Sequence, residues 1–169
     1  MMDRTDWKAG DATRGSVLFE KLSCAQCHRG STALGPDLGG VTGRFSRKDL
    51  FTAIVAPNKD VSTRYQTTVV QIVDGRPPVQ GLVIYRSVDG LLLRTPQNQT
   101  IRLEGSEVEF TRALSTSLMP AGLLKKAKPT DLADLYAYLE TLKQPVAPRI
   151  EPTPDPMEEE EKKKAAANR

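Results

Sequence analysis

The chain has two cysteines and one histidine, and all three fall within five consecutive positions, Cys24-Ala25-Gln26-Cys27-His28. Three chemistries use a C-x-x-C spacing. A structural zinc site takes four ligands, commonly Cys and His, and no second Cys/His pair exists in this chain to complete a tetrahedron. A thioredoxin-like redox pair should follow a strand in a βαβ pattern. The preceding text, DATRGSVLFEKLS, instead predicts a helix, with Val17, Leu18 and Leu22 near a 3.6-residue period and Asp11 as its N-cap. What remains is C-x-x-C-H as a covalent attachment site for c-type haem. Cys24 and Cys27 would form the two thioether bonds, and His28 would ligate the iron. A chance C-x-x-C-H in a structural loop is the competing reading.

A haem iron takes a sixth ligand or keeps an open position, and the sequence can be searched for that ligand. There is no other histidine, and the methionines are Met1, Met2, Met119 and Met157. Only Met119, in STSLMPAGLLKK, belongs to a segment expected to fold, and Pro120 stiffens its loop. A lone methionine in such a place is more often core filler. With haem bound, counting leaves Met119 as the expected axial ligand.

Composition bounds the rest. Apolar residues make up 38% and aromatics 5% of 169 residues, enough for one domain with a core plus tails. PVAPRIEPTPDP, residues 145–156, has five prolines, and MEEEEKKKAAANR follows it. Residues 145–169 therefore read as a Pro-rich, charged tail or linker. Without residues 149–169, Lys and Arg number 19 against 15 Asp and Glu, a net charge of +4 spread along the chain. No basic run carries interleaved aromatics, so nucleic acid is not an expected partner. No apolar stretch approaches the ~18 residues of a membrane span. MMDRTDWKAG has no apolar core of a signal peptide.

These motifs resemble the class I c-type cytochromes. GSVLFEKLSCAQCHRG resembles the family's N-terminal helix and haem motif, with Gly15 and Phe19 where that helix crosses the C-terminal one. GPDLGGVTGR resembles the stretch after the motif. The resemblance implies that the Pro36 carbonyl accepts from His28 Nδ1–H, that Leu38 packs on the haem ring, and that Arg44 reaches a propionate. SLMP resembles the distal methionine loop. TDLADLYAYLETL, residues 130–142, resembles the C-terminal helix, with Thr130 as N-cap and Leu135, Tyr138 and Leu139 facing the first helix.

One departure is plain: His28 and Met119 stand 91 positions apart, further than in compact members of the family. FSRKDLFTAIVAP predicts a helix opened by a Ser46/Asp49 capping box and stopped by Pro57. Then the text turns rich in Val, Thr, Ile and Tyr, punctuated by Asp74-Gly75 and Asp89-Gly90, strong hairpin signals. Residues 64–112 are thus expected to form four or five antiparallel strands between haem motif and methionine loop. Over residues 10–143 the order of these features is similar to the haem-binding module of the Planctomycetes/Verrucomicrobia type. The expectation is a mainly α chain: residues 1–10 an N-terminal extension, and 11–144 a class I cytochrome c fold with a small inserted sheet.

The resemblance implies one covalently bound haem c and single-electron transfer rather than catalysis, since His28 and Met119 would fill both axial positions. The alternative is a haem enzyme or a gas or redox sensor with a displaceable sixth ligand. The implied partner is a redox protein, a dehydrogenase or a terminal oxidase, either separate or fused to this chain. Haem attachment outside the cytoplasmic membrane implies a periplasmic or otherwise exported location, with a leader removed or lying upstream. Lys125, Lys126 and Lys128 follow the methionine loop and are candidates for ringing the haem edge. The inserted strands read as support for the distal side, or as a surface for a partner.

Overall fold

The structure is a computed structural model that describes residues 2–30 and 34–143. The predicted tail, 145–169, lies outside the described residues. Helix α1, Ala12–Lys21, begins where the Asp11 side chain accepts from the Arg14 N–H at 2.7 Å, the capping bond its sequence predicts. It ends at Leu22, and Ser23 turns through the left-handed region, φ 62°. The short helix α2, Cys24–His28, starts from that turn. Helices α3, Val41–Arg44, and α4, Arg47–Val55, follow. Ser46 Oγ accepts from the Asp49 N–H at 3.1 Å and donates to its carboxylate at 2.6 Å, fixing the start of α4.

The last helix, α5, spans Pro129–Thr141 and crosses α1. Its N-cap is Lys128 rather than the expected Thr130, because Pro129 takes the first helical position, where its missing N–H costs nothing. Asp131 accepts from the Lys128 N–H at 2.8 Å. Gly15 makes the crossing possible: a Cβ there would overlap the Asp134 carbonyl and stand 2.7 Å from Tyr138 Cβ. The rings of Phe19 and Tyr138 meet beside it at 5.2 Å. Leu132, Leu135, Tyr136 and Leu139 are all buried, as their spacing predicts. Truncating a side chain as enclosed as Leu135 to alanine costs about 2–5 kcal/mol.

Between α4 and α5 lie five antiparallel strands: β1 Gln66–Ile72, β2 Val79–Arg86, β3 Gly90–Arg94, β4 Thr100–Glu104 and β5 Val108–Ser117. They form one sheet in the order β4-β3-β2-β1-β5, so the last strand returns to pair with the first. Asp74 and Gly75, φ 62° and 69°, make the left-handed turn after β1. One sheet face is apolar, with Val70, Ile72, Leu91, Leu93 and Leu103 forming a cluster of their own. The other cluster belongs to the helices, around Phe19, Phe51, Leu135 and Leu139.

The expected mainly α chain is corrected here. Helix accounts for 38% and strand for 25% of the described residues, which makes the fold mixed α and β. The cause is the sheet as a whole, whose five strands make up that quarter of the described residues. The last strand, β5, has an expected end at residue 112 but runs on to Ser117, which pairs with Gln66 of β1 beyond a break in the register. The sheet is a major layer of the molecule and not a small insertion.

Candidate functional site

Helix α2 is too short to be stable alone and is held from both sides. The Gly35 N–H donates to the Cys27 carbonyl at 2.7 Å, folding the following segment back over the motif. That return places the Pro36 carbonyl 2.9 Å from His28 Nδ1. A carbonyl only accepts, so Nδ1 carries the proton and Nε2 is left with its lone pair for a metal. Gly35 lies so close to the imidazole that a Cβ there would collide with the ring.

Cys24 and Cys27 are free thiols, each partly buried. Burial pushes both thiols above their ordinary pKa, so they rest as neutral S–H groups. They share the wall of a cavity of about 800 Å³ with His28, Pro36, Leu38, Arg44 and Met119. Seven candidate residues from separate stretches of sequence are thus brought to one space. Leu135 and Leu139 of α5 and Leu50 of α4 line it as well, and Leu82 of β2 reaches it from the sheet. Arg44 uses Nη2 to hold the Asp37 carbonyl at 3.1 Å, which anchors its guanidinium at the cavity wall.

Met119 is presented by a loop that leaves the end of β5. Its N–H donates to Ser117 Oγ at 3.1 Å, and the Ser117 N–H donates to Asn58 Oδ1 at 2.8 Å. Sequence reasoning passed over Asn58, Ser117, Gly35 and Leu82. Gly35-Pro36, seven positions after His28, is a signal for a tight approach of backbone to that ring; Asn58 carries no local signal. Trp7 was also missed. Its ring packs on Phe51 at 5.4 Å and Tyr136 at 5.8 Å, and Arg47 lies over both Trp7 and Tyr136 at 4.5 Å.

Two thiols and an imidazole with one uncommitted nitrogen, beside an apolar cavity, fit the attachment of haem c, and the Met119 side chain lines the same cavity. Among the described residues no three His, Cys, Asp or Glu side chains gather to hold a bare ion. A family model described as Cytochrome c matches residues 12–82. That match supports a class I c-type cytochrome domain over these residues. A search of curated proteins finds no match to it. Such a domain supports a haem-binding electron-transfer protein, and its family implies covalently bound haem c. The match ends inside β2, so the expected reach of the family fold over 11–144 is corrected to 12–82. Met119 and α5 stand outside the matched residues. No helix among the described residues is long and apolar enough to cross a membrane.

Proposed function

We propose that this chain binds one haem and passes single electrons, and that His28 and Met119 are the residues that would hold its iron. The observation that carries the reading is their shared cavity: 91 positions apart, they line one space with Cys24 and Cys27. Bound there, haem c supplies an iron that gains and loses one electron. The chain's own residues do the rest. Cys24 and Cys27 anchor the macrocycle covalently. Pro36 fixes the tautomer and ring angle of His28, which strengthens Nε2 as a donor. The Met119 thioether is a soft donor that favours the reduced iron and raises the potential. Leu38, Leu135 and Leu139 keep water from the cavity, which also favours the less charged, reduced state. Arg44 offers its remaining donors to a haem propionate.

With His28 and Met119 both holding the iron, a substrate would have to displace Met119, which supports a carrier over an enzyme. The motif's chemistry supports an exported location, since the thiols are joined to haem outside the cytoplasmic membrane. A partner that donates or accepts one electron follows from the family, and a dehydrogenase or terminal oxidase, separate or fused, fits that role.

Met119→Ala tests the reading in protein matured by an exporting host. Wild type should weigh one haem more than its polypeptide, show the weak far-red sulfur-to-iron band when oxidised, and take up CO slowly when reduced. Met119→Ala should lose the band, bind CO readily and have a lower potential. Wild type that binds CO readily, with no change in Met119→Ala, would refute the proposed sixth ligand and favour a sensor or enzyme.

A further inference from the structure

β1 and β5 do not pair evenly where they approach the cavity. Gln66 pairs with Ser117 and Thr68 with Ala113, so β1 advances two residues while β5 advances four. The surplus on β5 is a bulge, and bulges beside functional sites re-aim the chain that follows them. Here the chain that follows is Leu118-Met119-Pro120. The direction it takes is then held by two hydrogen bonds in series. Ser117 Oγ receives the Met119 N–H, and Asn58 Oδ1 receives the Ser117 N–H.

Asn58 belongs to neither strand. It lies in the turn after α4, closed by the Lys59 N–H on the Ala56 carbonyl at 3.0 Å. Its neighbours Pro57, Lys59 and Asp60 line the haem cavity from the side of α4, while Ser117, Leu118 and Met119 line it from the sheet. Asn58 therefore ties the matched residues to the foot of the loop bearing Met119, through a hydrogen bond to Ser117 across 59 positions of sequence. Without it, the last residue of β5 would keep its pairing to Gln66 but lose its hold on the α4 side.

We infer that Asn58 is a positioning residue for the distal ligand: through Ser117 it holds the Met119 loop against the cavity and slows dissociation of the thioether from the iron. This rests on Met119 being the sixth ligand. The sheet then acts as the arm that carries the ligand, and Asn58 as the point where the arm is fastened.

The test compares Asn58→Ala, Asn58→Asp, Ser117→Ala and Met119→Ala in the full-length haem-loaded chain. CO uptake by reduced protein reports how often the sixth position opens, and the far-red band reports sulfur on oxidised iron. Unfolding followed by circular dichroism reports stability. Asn58→Ala should speed CO uptake roughly fivefold, the scale of one lost hydrogen bond, with little change in the unfolding midpoint. Asn58→Asp keeps an acceptor oxygen in place and should retain the wild-type rate. Ser117→Ala should act in the same direction as Asn58→Ala, and it decides the matter if Asn58→Ala does not fold. The inference is overturned if wild type shows the band and Met119→Ala removes it, yet Asn58→Ala and Ser117→Ala take up CO at the wild-type rate. Faster uptake that only tracks a loss of global stability, and is not restored in Asn58→Asp, overturns it too. A wild type without the band removes the Met119 ligation itself, a different failure that Met119→Ala identifies.

Discussion

Gly35 and His28 meet as backbone against ring: a Cβ on Gly35 would stand 2.7 Å from Nδ1 and 2.9 Å from Nε2. Moving the ring would strain the bond from Nδ1 to Pro36, and moving the segment would strain the bond from the Gly35 N–H to Cys27. Gly35→Ala should therefore turn the imidazole or lift the segment off the motif. The expected result is a cost of about 1–3 kcal/mol in denaturant unfolding, the range for overpacking, together with a perturbed low-spin haem spectrum. A variant with unchanged spectrum and stability would show that the segment yields freely.

Asp134 binds α1 at two points. Its carboxylate accepts from Arg14 Nε at 2.7 Å and Nη2 at 2.6 Å, and also from the Asp11 N–H at 2.8 Å. The Arg14 hydrogen bonds, helped by the Asp11 N–H and the Arg14 charge, outweigh burial and hold the Asp134 pKa below its ordinary value. A depressed carboxylate stabilises the fold fully above its unfolded pKa of about 3.9. That contribution is lost as pH falls through the folded value. Arg14 is largely exposed, which weakens its share through solvent screening. Asp134→Asn should cost ~2 kcal/mol at neutral pH and flatten the loss of stability below pH ~4. Urea titrations at neutral and acid pH measure both; parallel curves for variant and wild type would contradict it.

Lys125, Lys126 and Lys128 are exposed in the segment that joins the Met119 loop to α5. If they steer a partner of opposite charge, electron transfer to an acidic partner should slow as ionic strength rises, since the screening length falls to about 8 Å at physiological salt. Replacing all three by glutamine should remove most of that dependence. A rate flat with salt in wild type would make them ordinary solvated lysines.

Local signals in the sequence were legible because local chemistry made them. Asp11, Ser46 and Pro57 mark helix ends through bonds formed or forbidden within one turn. Asp74-Gly75 marks a turn because both residues adopt positive φ. What was not legible depends on pairing across the fold. β5 reads as a short strand until β1 is found beside it, and Thr130 reads as a cap until Pro129 is seen inside the helix. Trp7 lies in residues expected to be an extension, and only the three-dimensional packing sets it against Phe51 and Tyr136. Cys24, Cys27 and His28 announce their chemistry by spacing, whereas Asn58 meets Ser117 only because two distant turns converge.

The two apolar clusters, one in the helices and one in the sheet, give the molecule two units that can open at different free energies. β5 belongs to the second unit and leads directly to Met119. If Met119 holds the iron as proposed, opening the sheet and releasing the ligand become linked events. Linkage is reciprocal, and a thioether binds ferrous iron more firmly than ferric. Reduction should then slow amide hydrogen exchange in β5 and β1 while leaving α1 and α5 nearly unchanged. An electron placed at the haem would be felt as mechanical stiffness in a sheet that holds none of the cofactor's anchors, and a partner touching that sheet could sense the charge state without reaching the haem edge.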